Sequence, residues 1–254
     1  MLRSTAALLV AHPGAGCTLV ITMLDSIPWF VAGEFILVTV FTLIMLSAAI
    51  RLSTSGWGII LAWLLLLSVL AYLGFYQETD ALPPRFTMVL FIPLLSVIYI
   101  FNSQREKQWV DQANIPLLVL IHVVRIPVEL ILYQLFEYGT IPELMTFAGR
   151  NFDILAGITA PLIYYFGYKK WVLSRSVVIG WHIVSLLLLA NIVIHAILSI
   201  PFPLQQLAFD QPNIAVLTFP FVLLPGFVVP AVLFSHLIAL RHEWKKKLNP
   251  ANLS

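Results

Sequence analysis

The sequence predicts an all-α polytopic membrane protein, a bundle of seven transmembrane helices, and three observations carry that prediction. Of its 254 residues 60% are hydrophobic and only 10% are charged, against about 25% charged in a soluble domain. The apolar residues gather into runs near the ~20-residue length that a helix needs to cross about 30 Å of hydrocarbon. The basic residues, finally, concentrate in alternate loops. Charge this sparse, scattered between apolar runs, argues against disorder and against a nucleic-acid-binding surface. A single cysteine, Cys17, excludes an intramolecular disulfide.

Residues 1–29 read as an N-terminal extension. Its apolar stretch Thr5 to Val10 is interrupted by His12-Pro13-Gly14, and Arg3 alone is a thin positive region for a secretory signal. Ala15-Gly16-Cys17 resembles a lipoprotein cleavage box, but Gly14 stands where a Leu is normally found, so an extension that is unstructured or lies at the interface is expected instead. The transmembrane domain, residues 30–240, follows with spans at Phe30 to Ile50, Trp57 to Tyr76, Phe86 to Asn102, Asn114 to Phe136, Asp153 to Tyr168, Ser176 to Ser199 and Ile214 to Leu240. Trp29, Trp57, Tyr76, Trp109, Tyr138, Tyr168, Trp171 and Trp244 mark span edges, where amphipathic rings settle at headgroups. The fifth span is the shortest. The seventh carries Pro220, Pro225-Gly226 and Pro230, each proline removing a helical hydrogen bond, so a kinked helix is expected.

Loop charge orients the bundle. Arg51, Arg105, Lys107, Lys169, Lys170, Arg175, Arg241 and Lys245 to Lys247, ten of the fourteen basic residues, fall on one side, and only Arg3, Arg85 and Arg150 fall on the other. The positive-inside bias then places the C-terminus in the cytoplasm and the N-terminus outside, in the cytoplasmic (plasma) membrane. Residues 241–254 form a basic cytoplasmic tail. Its partners are the lipid bilayer and, at the RHEWKKK run, anionic headgroups.

The outer loops hold Pro83-Pro84, Pro142, Pro201, Pro203 and Pro212, which predicts compact segments. Thr140-Ile141-Pro142-Glu143 has the form of a capping box opening a short interfacial helix that stops near Gly149. Pro203 to Phe209 predicts a second such helix. Two familiar seven-helix classes are opposed by residues. A retinal protein needs a lysine in its last span, which this one lacks, and the zinc-dependent seven-helix hydrolases keep paired histidines there, where this chain has only His236. Helix count alone assigns no family.

Function is sought where charge enters hydrocarbon, because an ionisable group there is costly unless paired or hydrated. His122, Arg125, Glu129 and Tyr133 fall within an arc of roughly 80° on the fourth span. Arg125 and Glu129, at i and i+4, are spaced for an intrahelical salt bridge, and Pro127 between them loosens the backbone. Arg125 stays protonated and can hold an anion or fix a carboxylate; Glu129 and His122 can exchange protons. On the sixth span Asn191 and His195 share a face, and Asn191 matches the depth of Glu129, each roughly 23 Å along its span. Asp153, with Arg150 and Asn151, lies at the mouth of the fifth, although a first-turn carboxylate also satisfies a helix N-terminus.

These residues predict a site open to the outside that binds a small solute, ion or proton, in a transporter or receptor-like protein. Two further arrangements are chemically consistent with the sequence. One is a metal-dependent intramembrane enzyme using Glu129, Asp153 and His195, although no metalloprotease spacing supports it. The other is a bis-histidine haem between His182 and His236. A structural membrane partner is the remaining class.

Overall fold

A computed structural model describes residues 27–78, 83–103 and 109–248, with side chains to residue 245. Most of the N-terminal extension, Arg105, Lys107 and the end of the basic tail lie outside the described residues. Among the described residues every regular element is helical. In chain order these are α1 (Trp29–Ile50), α2 (Thr54–Tyr72), α3 (Thr87–Asn102), α4 (Ile115–Glu137), α5 (Ile154–Leu162), α6 (Arg175–Leu198) and α7 (Val229–Leu248). α1, α2, α4, α6 and the stretch Leu224–Lys245 are long and apolar enough to cross a membrane, and α3 is a shorter apolar helix.

Local chemistry sets the helix ends. The side chains of Ser53 and Asn114 accept from the amides of Gly56 and Leu117, at 3.2 Å each, and so cap α2 and α4. Gly139, at φ +75°, turns the chain out of α4. Inside α1 the hydroxyls of Thr39 and Thr42 return to the carbonyls of Phe35 and Val38, which hides them from an apolar surround.

The packing inverts that of a soluble domain. Large apolar side chains such as Leu37, Ile59 and Leu65 face outward, whereas Arg125, Glu129, Asp153 and three histidines are buried. α4 and α7 run through the middle of the bundle, and α2, with only Leu67 and Ala71 buried, lies at its edge. At one end Asp111 joins Arg241, at 2.9 Å, and Lys245, tying the chain ahead of α4 to the end of α7. Glu243 meets the Tyr168 hydroxyl at 3.3 Å and the Arg175 guanidinium at 3.8 Å.

Prolines produce the departures from regular α-helix. Pro127 offers no amide to the turn before it, and α4 tightens to a 3-10 turn over Ile121–Val124. α5, with Pro161 inside it, runs on as a π-helix over Ile163–Lys169. Another π turn, Leu224–Val228, holds Pro225 and leads into α7. Trp63 of α2 donates to the Gly226 carbonyl there at 2.9 Å.

Three sequence expectations are corrected. The expected seventh span begins helically ten residues later than Ile214, because Pro220 and Pro225 leave residues 214–223 as a 3-10 turn and loops. Thr140 does not open an interfacial helix. Its hydroxyl donates to the Leu135 carbonyl at 2.9 Å, closing the end of α4, and only the 3-10 turn Glu143–Met145 follows Pro142. Residues 203–209 are likewise turns, since Ala208 takes φ +56° and the Gln206 and Leu207 amides both bond back to Leu198.

Candidate functional site

Three helices bring one histidine each to a common point. His122 sits in the 3-10 turn of α4, His182 on α6 and His236 on α7, and all three have 0% exposure. The His122 and His236 rings stack, with centroids 3.8 Å apart at 17°. His182 meets His236 edge-on, with their Nδ1 atoms 2.8 Å apart. One nitrogen from each ring lies within 4.8 Å of the other two. Trp181 closes one side, its ring 4.9 Å from His182 and 5.5 Å from His122, held by donation of Nε1 to the Thr159 hydroxyl at 2.8 Å.

Arg125 fixes how the protons lie on these rings. A guanidinium only donates, and its Nη2 is 3.0 Å from Nε2 of His236. That nitrogen therefore accepts, which makes His236 a neutral ring with its proton on Nδ1. The proton points at Nδ1 of His182, so His182 carries its own on Nε2. Nε2 of His182 and both nitrogens of His122 have no hydrogen-bond partner.

The other side of Arg125 faces acids. Its Nη1 donates to Oδ1 of Asp153 at 2.9 Å and to the Ser185 carbonyl of α6 at 3.2 Å. The contact requires α5 to lie close on α4, and Gly157 permits it, since a Cβ there would come within 3.1 Å of the Ile126 backbone nitrogen and 3.3 Å of the Arg125 side chain. Asn151 then links the Glu129 carboxylate to the backbone at the start of α5. Its amide donates to Oε1 of Glu129 and, at 3.0 Å, to the Met145 carbonyl, while its Oδ1 accepts from the Asp153 amide at 3.0 Å. Gly149 lets the loop fold tightly enough to place Asn151, because a Cβ there would fall 2.3 Å from the Glu143 carbonyl oxygen. Oε2 of Glu129 has no partner.

Of the residues singled out from the sequence, His122, Arg125, Glu129 and Asp153 come together in this cluster. The i, i+4 pairing of Arg125 with Glu129 is corrected: Arg125 turns to Asp153, and Glu129 is taken by Asn151. Tyr133 stacks on Phe147 at 5.0 Å instead. Asn191 donates to the Arg150 carbonyl, and Nδ1 of His195 bonds the Asn191 carbonyl of its own helix at 2.8 Å. A metal set of Glu129, Asp153 and His195 is therefore not assembled. Nor is there room for a porphyrin between His182 and His236, whose rings touch through a direct hydrogen bond.

His182 and His236 are the members that the sequence offered only as a haem pair, apart from the predicted ligand site. A shared depth was the available signal. His122 and His182 each stand seven residues into their helices, and His236 stands five before Arg241, all roughly 8–10 Å from the same basic boundary. The structure also closes the site that the sequence predicts to be open: no cluster residue exceeds 5% exposure. A separate apolar cavity, lined by Phe86, Leu132, Ile192, Ile197 and Val229, includes none of them.

The family model for a domain of unknown function, DUF8737, matches residues 81–242, a span that contains every residue of the cluster. No curated protein and no solved structure matches the chain.

Proposed function

The chain belongs to the DUF8737 family, and we propose that its buried cluster is the cation-binding site of a transporter-like, seven-span membrane protein. The bundle has its N-terminus outside and its basic tail against anionic headgroups on the cytoplasmic face of the plasma membrane, as the ten-to-three distribution of basic residues implies. The shorter α3 and the α5 segment with its π-helical continuation count as spans in this reading.

The observation that carries the proposal is the charge count inside the cluster. Two buried carboxylates, Asp153 and Glu129, face one guanidinium, Arg125, and the histidine hydrogen-bonded to Arg125 is neutral. With both carboxylates ionised, one negative charge is left over in a closed, apolar surround. Such a charge is costly there, so the site takes up a cation, either a proton or a metal ion. Unpartnered acceptors at Glu129 and His122 are where it binds. The π-helical interruptions in α5 and ahead of α7 support movement around the site, as broken helices do in transporters.

Reconstitution into vesicles tests this. Protein in liposomes loaded with pH- and Zn2+-sensitive dyes should dissipate an imposed gradient of at least one of these cations. Glu129→Gln, which keeps the Asn151 contact but removes the charge, should slow it at least tenfold without changing the melting temperature. Flux absent from the wild type, or equal in the variant, refutes the reading.

A further inference from the structure

We infer that His122, His182 and His236 form a three-imidazole site for a borderline divalent transition-metal ion of the zinc class, an inference that rests on reading the cluster as a cation site. The first ground is convergence. Three helices distant in sequence each deliver one fully buried imidazole to a point where their nitrogens lie within 4.8 Å. Metal–nitrogen bonds of about 2.0–2.1 Å in tetrahedral geometry need nitrogens roughly 3.3 Å apart. The widest pair of nitrogens must close by about 1.5 Å, and the Nδ1 atoms of His182 and His236, 2.8 Å apart, must open by about 0.5 Å.

The second ground is the set of nitrogens without partners. Buried polar atoms are nearly always hydrogen-bonded, and an exception needs an explanation. Here both nitrogens of His122 go unpartnered beside His182 and His236, and the one without a proton is free to coordinate. His122 makes ring contacts only, with His236, His182 and Trp181, so no hydrogen bond accounts for an imidazole at that position. Coordination does.

The third ground is charge and proton balance. A metal ion entering between the rings binds the Nδ1 lone pair of His182, a lone pair of His122, and Nδ1 of His236 in place of its proton. That proton leaves, and His236 becomes an imidazolate whose Nε2 still accepts from Arg125. The sum is then a dication, one guanidinium, two carboxylates and one imidazolate, which is neutral. Three ring-nitrogen donors, two imidazoles and one imidazolate, suit zinc, cobalt or copper ions better than calcium or magnesium, which demand oxygen. Arg125, itself held by Asp153, acts as the outer partner that orients His236. The fourth coordination position remains for an exchangeable ligand.

Titration of the purified, metal-stripped full chain with Co2+ tests the site through the visible absorption of four-coordinate cobalt, with Zn2+ as competitor. We expect one equivalent per chain in the wild type and in His195→Gln, a histidine outside the triad. His122→Leu, close in volume and removing no hydrogen bond, should keep the melting temperature and lose more than about 100-fold in Co2+ affinity, beyond the range of an outer-partner effect. His182→Gln should lose the cobalt band as well. No saturable band in the wild type, or equal affinity in H122L, overturns the metal site. In that event, proton flux in metal-free vesicles that falls with Glu129→Gln would leave the broader cation reading standing. A cobalt band without flux of any cation supports the metal site and removes the transport reading.

Discussion

At the scale of single residues the cluster separates groups that hold one another from groups that hold nothing. Arg125 and Asp153 form a buried ion pair at 2.9 Å. Removing one partner of such a pair strands the other, at a cost of about 3–5 kcal/mol, whereas replacing both with apolar residues of similar volume is often neutral. Asp153→Asn should therefore lower the melting temperature in detergent steeply. Arg125→Met combined with Asp153→Leu should recover most of the loss, although it removes the orienting partner of His236. A double variant as unstable as the single would mean that Arg125 stabilises the bundle through Ser185 and His236 more than through Asp153. His122 is the contrasting case. As its ring makes no hydrogen bond, His122→Leu should be neutral or slightly stabilising in the same melting experiment.

At the scale of elements the site depends on how near α5 lies to α4. The missing Cβ of Gly157 allows the approach that brings Asp153 within reach of Arg125. Gly157→Ala presses on the Ile126 backbone, which cannot rotate away, so overpacking of about 1–3 kcal/mol is expected. Cation uptake should weaken along with stability, because α5 carries Asp153. Gly180→Ala on α6 is the control: an added Cβ there meets nothing within 4 Å, and the helix should gain up to about 1 kcal/mol. If melting and cation titration of the two variants gave the same shifts, the close approach of α5 would not be what holds the site together.

At the scale of the whole molecule charge pins one end, where Asp111 ties the chain ahead of α4 to the end of α7. Burial opposes ionisation of Asp111, but the hydrogen bonds and charges of Arg241 and Lys245 outweigh it and hold its carboxyl below the usual carboxylate range. A carboxyl lowered on folding contributes stability above its unfolded pKa of about 3.9 and loses it as pH falls through the folded value. Melting measured as a function of pH should show this contribution intact at neutral pH and lost only under strongly acidic conditions. It should vanish in Asp111→Asn. The partners face solvent, so its size is about 1 kcal/mol at most and shrinks with salt. Orientation has its own check at this scale. A reporter active only outside the cytoplasm should be silent when fused to the C-terminus, and activity there would reverse the proposed topology.

The sequence by itself determined the helical class and the apolar stretches, because a chain in hydrocarbon must satisfy its backbone within each segment, and that demand is local. It also marked Arg125, Glu129, His122 and Asp153, since a charge within an apolar run is visible without any fold. Only the tertiary structure decided who pairs with whom. Arg125 prefers Asp153 of α5 to Glu129 on its own helix because Gly157 brings α5 into contact and Asn151 occupies Glu129. His182 and His236 join His122 because three helices converge at one depth, and no spacing within any one helix records that convergence. The loop after α4 likewise depended on distant bonds, from the Ile214 and Ala215 amides to the Thr140 carbonyl, which a capping-box pattern does not contain. Helices are written in neighbouring residues; the site is written in the packing between them.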